Sequence, residues 1–223
     1  TYGYEIVVLS DHGMTESVMV DQYAGDTPSS YIRRLYPDAH TCEQHAGVTQ
    51  QLSSNTDLLL LYSGGTIACY NVKSKNKVSR SIFEKQFPHF FTNVSSWDPV
   101  AFVLGRGPRG PIIVRHGREY HLTKTLTKTL FPYETDENQV RLYEQLVKLT
   151  RAPFAADAYI FARTLSKNKV LAFEPQEHGS HGSFGGPQTE SFLMTKNIPI
   201  DAKNIHQLSD LHDALYEWVF EKD

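Results

Sequence analysis

"TDLLLLYSGGTIACYNV", residues 56–72, decides how the chain's strands are arranged. Two apolar, β-rich runs, 56–63 and 66–72, flank Gly64-Gly65, the kind of pair a tight hairpin needs. A hairpin is antiparallel, so a sheet that contains it is mixed, or a second sheet exists. Outward from it, strands and helices interleave, which predicts an α/β class rather than a bundle or a sandwich. Downstream, "SIFEKQFPHFF" reads as an amphipathic helix interrupted near Pro88. "VAFVLGRGPRGPIIVRHGREYHL" reads as a meander: strand 99–104, a Gly/Pro turn at 105–111, then strands 112–115 and 118–122. Residues 56–122 are thus expected to form a β-rich insertion within a domain that spans 1–223. "TKTLTKTL" repeats too briefly to signal a repeat architecture.

"ETDENQVRLYEQLVKLTRA" has helical spacing behind an acidic first turn. "DAYIFART" and "KVLAFEP" read as strands, and "DLHDALYEWVF" as a terminal amphipathic helix. Upstream, residues 17–24 read as a short helix or an irregular loop, and 27–47 as a long connection with a helix at its end. The expected fold is a mixed sheet flanked by helices.

Composition is that of an ordinary globular protein, 40% apolar and 21% charged. A net charge of -3 gives no reason to expect nucleic acid or an anionic membrane as partner. The short basic cluster of Lys73, Lys75, Lys77 and Arg80 fits a solvated hairpin tip. Apolar runs such as 58–62 fall far short of the roughly 20 residues that span a bilayer, which predicts a soluble chain. Cys42 and Cys69 read as small apolar residues, with a single disulfide left open.

Two stretches carry chemistry. "VVLSDHGMTES", 7–17, follows Tyr4 and Ile6 as a strand that ends on Asp11 and His12, with Gly13 as a turn residue. Ligands gather at such strand tips in open α/β sheets, and a carboxylate beside an imidazole suits zinc. Alone, the pair reads more readily as a helix-capping Asp beside a surface His. "EHGSHGSFGGPQTE", 177–190, interleaves His178 and His181 with Gly179, Gly182, Gly185 and Gly186. Its backbone freedom could bring an imidazole to an ion or anion, or could simply belong to a surface loop.

Together, "SDHGM" after a strand and "GSHG" before a strand and a C-terminal helix resemble the alkaline phosphatase superfamily. The bacterial type I phosphodiesterase/nucleotide pyrophosphatase branch is the one most resembled. The resemblance runs through "DPVAFVLGRGPRGPIIV" and "GSHGSFGGPQTESFLM" and covers most of residues 4–220. It implies an alkaline-phosphatase-like sheet holding two divalent metal ions about 4 Å apart. Zinc is the usual metal, with manganese as an alternative. Asp11 and His12 would ligate one ion and His181, in its G-x-H-G setting, the other; His178 would support a ligand from behind or be unrelated. The implied reaction is hydrolysis of a phosphate ester or nucleotide through a Thr or Ser phosphoenzyme.

The family places its nucleophile, a further Asp and an Asp-x-x-x-His pair upstream of the Asp-His-Gly, yet only ten residues precede Asp11. Thr66 and Ser180 have no neighbouring carboxylate and are not expected to replace that nucleophile. The chain is therefore expected to be the C-terminal part of a hydrolase, inactive alone and partnered by the N-terminal half of the same protein. Its opening at Thr1, almost directly into a strand, carries the same expectation. Sulfatase, mutase or phosphotransferase chemistry on the same scaffold, or a binding domain without catalysis, are the alternatives. Family members often act outside the cytoplasm or tethered to a membrane. Arg106, Arg109 and Arg115 could contact a phosphate, although exposed arginines on a Gly/Pro turn are the plainer reading.

Overall fold

The computed structural model describes residues 5–45, 51–131, 133–175, 178–184 and 186–220. Tyr4, the end of the 27–47 connection and Gly185 lie outside them. In chain order the elements begin with β1 (Val7–Leu9), β2 (Thr15–Met19), α1 (Val20–Ala24), α2 (Pro28–Leu35) and β3 (Thr41–Gln44). The expected hairpin follows as β4 (Leu58–Ser63) and β5 (Thr66–Asn71), then come α3 (Arg80–Gln86) and α4 (Phe90–Ser95). The meander is β6 (Val100–Gly107), β7 (Gly110–Arg115) and β8 (Arg118–His121). After it come α5 (Lys124–Leu130), α6 (Asp136–Arg151), β9 (Ala158–Ala162), β10 (Thr164–Ser166) and β11 (Lys169–Ala172). The last elements are β12 (Gly179–Ser180), β13 (Leu193–Thr195) and α7 (Leu208–Phe220). The protein is α/β, with mixed sheets flanked by helices. Among the described residues no helix is long and apolar enough to cross a membrane.

The chain divides into two compact units, Met14–Gln188 and a smaller one made of Thr1–Gly13 with Thr189–Asp223. The larger unit is built on a seven-stranded sheet ordered β3-β4-β5-β9-β6-β7-β8. Only the β3–β4 pair is parallel. The sheet reaches beyond residues 56–122, because β9 lies between β5 and β6. Period-two alternation sends side chains to two cores. Ile67, Cys69, Val103, Ile160 and Ala162 join one, and Phe102, Leu104, Tyr159 and Phe161 the other. Val100 and Val103 share a face although three residues apart, because the β6–β9 register shifts between Val100 and Phe102, as a bulge requires.

The first core is closed by α3 and α4, whose Phe83, Phe87, Phe90 and Phe91 are buried, with Phe83 ring centroids 5.0 Å from both Phe87 and Phe90. The helical run breaks at 87–89, where His89 takes φ 59°, and α4 restarts. The second core is closed by α5 and α6; Leu142 and Leu146 of α6 are buried. The Thr135 hydroxyl accepts from the Asn138 N–H at 3.3 Å, capping α6 behind Asp136 and Glu137.

A second sheet in this unit runs β10-β11-β2-β12, with β11 and β2 parallel and Ser180 opposite Thr15. Several expectations change here. Residues 15–19 form a strand, so helix begins only at Val20. The 27–47 connection has its helix at its start: Pro28 opens α2, and the Thr27 hydroxyl accepts from the Ser30 N–H at 3.1 Å. The meander's first turn is only Pro108-Arg109, since 105–107 stay in β6. Gly105 is there because a Cβ would sit 2.4 Å from Phe91 Cε1. Cys42 and Cys69 are free thiols, and burial pushes the Cys69 thiol up, as expected of a core residue.

The smaller unit is an antiparallel ribbon of β1 and β13 with α7. Val7 faces Thr195 and Leu9 faces Leu193. The Ser10 N–H donates to the Phe192 carbonyl at 3.1 Å, carrying the pairing to the residue before Asp11. Val8 and Leu9 are 43% and 42% exposed, because a two-stranded ribbon covers neither of its faces.

Candidate functional site

Asp11 and His12 lie in the smaller unit, His178 and His181 in the larger. The first pair is built by the end of β1. Asp11 Oδ1 accepts from the His12 backbone N–H at 3.1 Å, which folds the carboxylate back toward its neighbour. His12 Nδ1 stands 2.7 Å from the Gly13 carbonyl oxygen. A carbonyl only accepts, so Nδ1 carries the proton and, in the neutral ring, Nε2 keeps its lone pair.

That nitrogen is 3.6 Å from Asp11 Oδ1, on a carboxylate that is 80% exposed. Two donors that bond a tetrahedral zinc at 2.0–2.2 Å lie about 3.4 Å apart. The pair therefore fits one corner of a metal site in spacing, donor type and protonation. A backbone carbonyl behind the far ring nitrogen is also the usual support of a metal-bound histidine. Two ligands do not complete a site. Among the described residues no group of three or more His, Cys, Asp or Glu is placed to hold a metal.

His181 follows β12 on a loop docked onto the β4–β5 turn. Its carbonyl accepts from the Gly65 N–H at 2.9 Å and lies 3.3 Å from the Ser180 hydroxyl, which is fully buried. The Thr66 hydroxyl donates to the Gly182 carbonyl. Glycine is needed on both sides of this contact. A Cβ on Gly64, at φ +53°, would fall 2.0 Å from the His181 oxygen, and one on Gly182, at φ +77°, 2.5 Å from the Ser63 oxygen. The glycines thus hold the backbone of a half-buried His181 against a hairpin. His178 is exposed, and its carbonyl accepts from the Ser17 N–H at 3.1 Å. The hydroxyls of Thr66 and Ser180 are spent on these backbone contacts.

The three arginines of the meander have separate fates. Arg106 corrects the expectation of an exposed side chain: it is 17% exposed and pairs with Asp157 at 3.0 Å. It also donates to the carbonyls of Ala156 at 2.7 Å and Val78 at 2.9 Å. Burial pulls its guanidinium below the ordinary value, and Asp157 pushes it back. Arg109 stands 2.6 Å from His121 Nε2, both exposed. Arg115 lines a cavity of about 220 Å³ together with His116 and Arg163. Arg163 in turn donates to Asp98 at 2.6 Å. Neither His116 nor Arg163 stands out in the sequence; the cavity depends on strand pairing that brings residues 100–102, 115–116 and 162–164 together. Compared with protein-family models, curated proteins and solved structures, the chain finds no match.

Proposed function

We propose that this chain supplies part of the metal centre of a phosphoric ester hydrolase with an alkaline-phosphatase-like fold. The observation that carries the reading is the Asp11 and His12 pair, two lone-pair donors 3.6 Å apart with the imidazole proton turned away onto the Gly13 carbonyl. Asp11 and His12 hold one divalent ion, zinc or manganese, and His181 takes the other. Bound there, such ions lower the pKa of an attacking hydroxyl and neutralise the nonbridging oxygens of a phosphate ester or nucleotide. Gly13 fixes the tautomer of His12, and the hairpin turn fixes the backbone that carries His181.

The nucleophile and the remaining ligands belong to the N-terminal half of the same protein. The open ribbon supports that partner: Ile6, Val8, Leu9 and Met194 are exposed, and a two-stranded ribbon gains independent stability only when further strands or a helix cover it. Which reaction the scaffold runs, phosphodiester cleavage or the related sulfatase, mutase or phosphotransferase chemistry, is set by that nucleophile.

The test is calorimetric titration of this chain with Zn²⁺ and Mn²⁺, then turnover of a phosphodiester by the polypeptide that also carries the upstream half. Asp11→Asn and His12→Ala should each weaken metal binding by at least about tenfold, as loss of one of few ligands does. They should also abolish turnover in the longer protein. Metal affinity unchanged in both variants would refute the reading.

A further inference from the structure

The larger unit holds a cavity that the metal-site reading leaves unused. It opens between the β7–β8 turn, the C-terminal end of α5 and the residues joining β9 to β10, and encloses about 220 Å³. Phe102, Phe131 and Phe184 form its apolar wall, with Phe131 and Phe184 centroids 4.5 Å apart and Phe102 within 6.3 Å of both. The Phe184 carbonyl accepts from the Thr164 hydroxyl at 2.7 Å, which ties that loop to the cavity edge. Among the described residues, no Asp or Glu lines the cavity, while Arg115, His116 and Arg163 do.

The arginines differ in what they already hold. Arg163 is engaged by Asp98, which also accepts from the Tyr23 hydroxyl at 2.9 Å. Arg115 is half-buried and has no hydrogen-bond, ion-pair or ring partner for its side chain among the described residues. A guanidinium carries five N–H donors, and Arg106 in the same sheet shows what this fold does with one it uses structurally: it gives it two carbonyls and a carboxylate. Leaving Arg115 without acceptors beside an aromatic wall makes sense where a ligand brings them.

His116 points the same way. It occupies the first position of the two-residue β7–β8 turn at φ 48°, followed by Gly117 at φ 73°. Asn, Asp and Gly suit that position, and a histidine there costs conformational energy while placing an imidazole at the cavity rim.

We infer that this cavity binds a small oxyanion carried on a single apolar ring, a phosphate monoester or a carboxylate, with Arg115 as the partner of the anion. Size sets the class. An apolar cavity of about 150 Å³ accepts benzene, so about 220 Å³ holds one ring against the phenylalanines and leaves roughly 70 Å³ for the charged group. The planar guanidinium fork matches phosphate and carboxylate alike. The site lies wholly within residues 14–188 and does not rest on the metal reading.

The experiment titrates the 223-residue chain, kept metal-free with chelator, with phenyl phosphate, benzoate and inorganic phosphate by calorimetry. Phenyl phosphate or benzoate should bind at one site per chain, at least about tenfold tighter than inorganic phosphate, which lacks the ring. The tighter of the two aromatic probes identifies the anion. Arg115→Gln should weaken that probe by about tenfold or more, the effect of losing a charge-assisted partner. His116→Asn, which suits the turn, should weaken it by about threefold. Where Arg115→Gln fails to keep the parent thermal midpoint, Arg115→Lys decides, since it keeps charge and stem and loses only the fork. No saturable binding of either aromatic probe, equal binding by the arginine variant, or inorganic phosphate binding as tightly would each overturn the inference.

Discussion

Asp157→Ala removes the acceptor at the centre of a buried polar network in the larger unit. Asp157 is 3% exposed, and its carboxylate accepts from the Val78 N–H at 2.7 Å, the Asn71 N–H at 2.9 Å and Arg106 Nη2 at 3.0 Å. At about 1.5–3 kcal/mol per hydrogen bond to a charged group, simple addition gives about 4.5–9 kcal/mol, too much because the vacated space admits water. Breaking a buried ion pair from one side costs about 3–5 kcal/mol, so about 4 kcal/mol is expected. Arg106→Met leaves Asp157 its two backbone donors and should cost about half as much. The double variant should be less destabilised than the sum of the singles by about 1–3 kcal/mol, the coupling of groups in one network. Urea unfolding reads this through Trp97, which belongs to the larger unit and stacks on Tyr31 at 4.7 Å, in a Trp218→Phe background that silences the other indole. With a slope of about 2–3 kcal/mol/M, the midpoint should fall by about 1.5 M. A loss below about 1 kcal/mol at unchanged slope, or strictly additive singles, would refute the argument that Asp157 organises this junction.

Gly64→Ala should destabilise by more than about 2 kcal/mol and displace the 180–183 loop, since φ is +53° and the new methyl would meet the His181 oxygen; thermal melting and the His181 imidazole resonances read both effects. Phe83→Ala, at 0% exposure among three other phenylalanines, should cost about 3–5 kcal/mol in the same urea assay. Burial pushes the Tyr36 phenol from 10.0 up to about 12, so the folded state holds its proton where the unfolded chain releases it. Its contribution is complete below pH 10 and is lost as pH rises toward about 12; tyrosinate absorbance and a flatter stability profile in Tyr36→Phe check it.

The hairpin was legible because alternation and Gly64-Gly65 are local signals that tertiary structure had no reason to override. The neighbouring errors share one cause. "TCEQ" is polar and becomes β3 only by pairing with β4, a long-range gain that no window of sequence contains. Gly105 and Gly107 looked like turn residues, yet Gly105 stays in β6 to admit the Phe91 ring, a contact between α4 and the sheet. The central place of β9, between two strands that precede it by about 50 residues or more, is likewise a matter of pairing and not of pattern. By contrast, the start of α2 at Thr27-Pro28 was written locally, in a cap and a proline, inside a stretch read as connection.

The site divides along the same line. Residue type and adjacency were enough to nominate Asp11 and His12, but their chemistry depends on a proton, and the Gly13 carbonyl that fixes it is a backbone atom that any residue at position 13 would supply. The meander arginines make the point more sharply, because 106, 109 and 115 stand within ten residues on one β-ribbon and share a side chain. Arg106 is drawn inward by Asp157, which arrives from 51 residues away. Arg109 stays at the turn beside His121. Arg115 is brought to an aromatic cavity whose Phe131 and Phe184 lie 16 and 69 residues further along the chain. A guanidinium is structural where the fold supplies its acceptors and available where it does not. Function on this ribbon is therefore sought at the arginine whose acceptors the fold has left out.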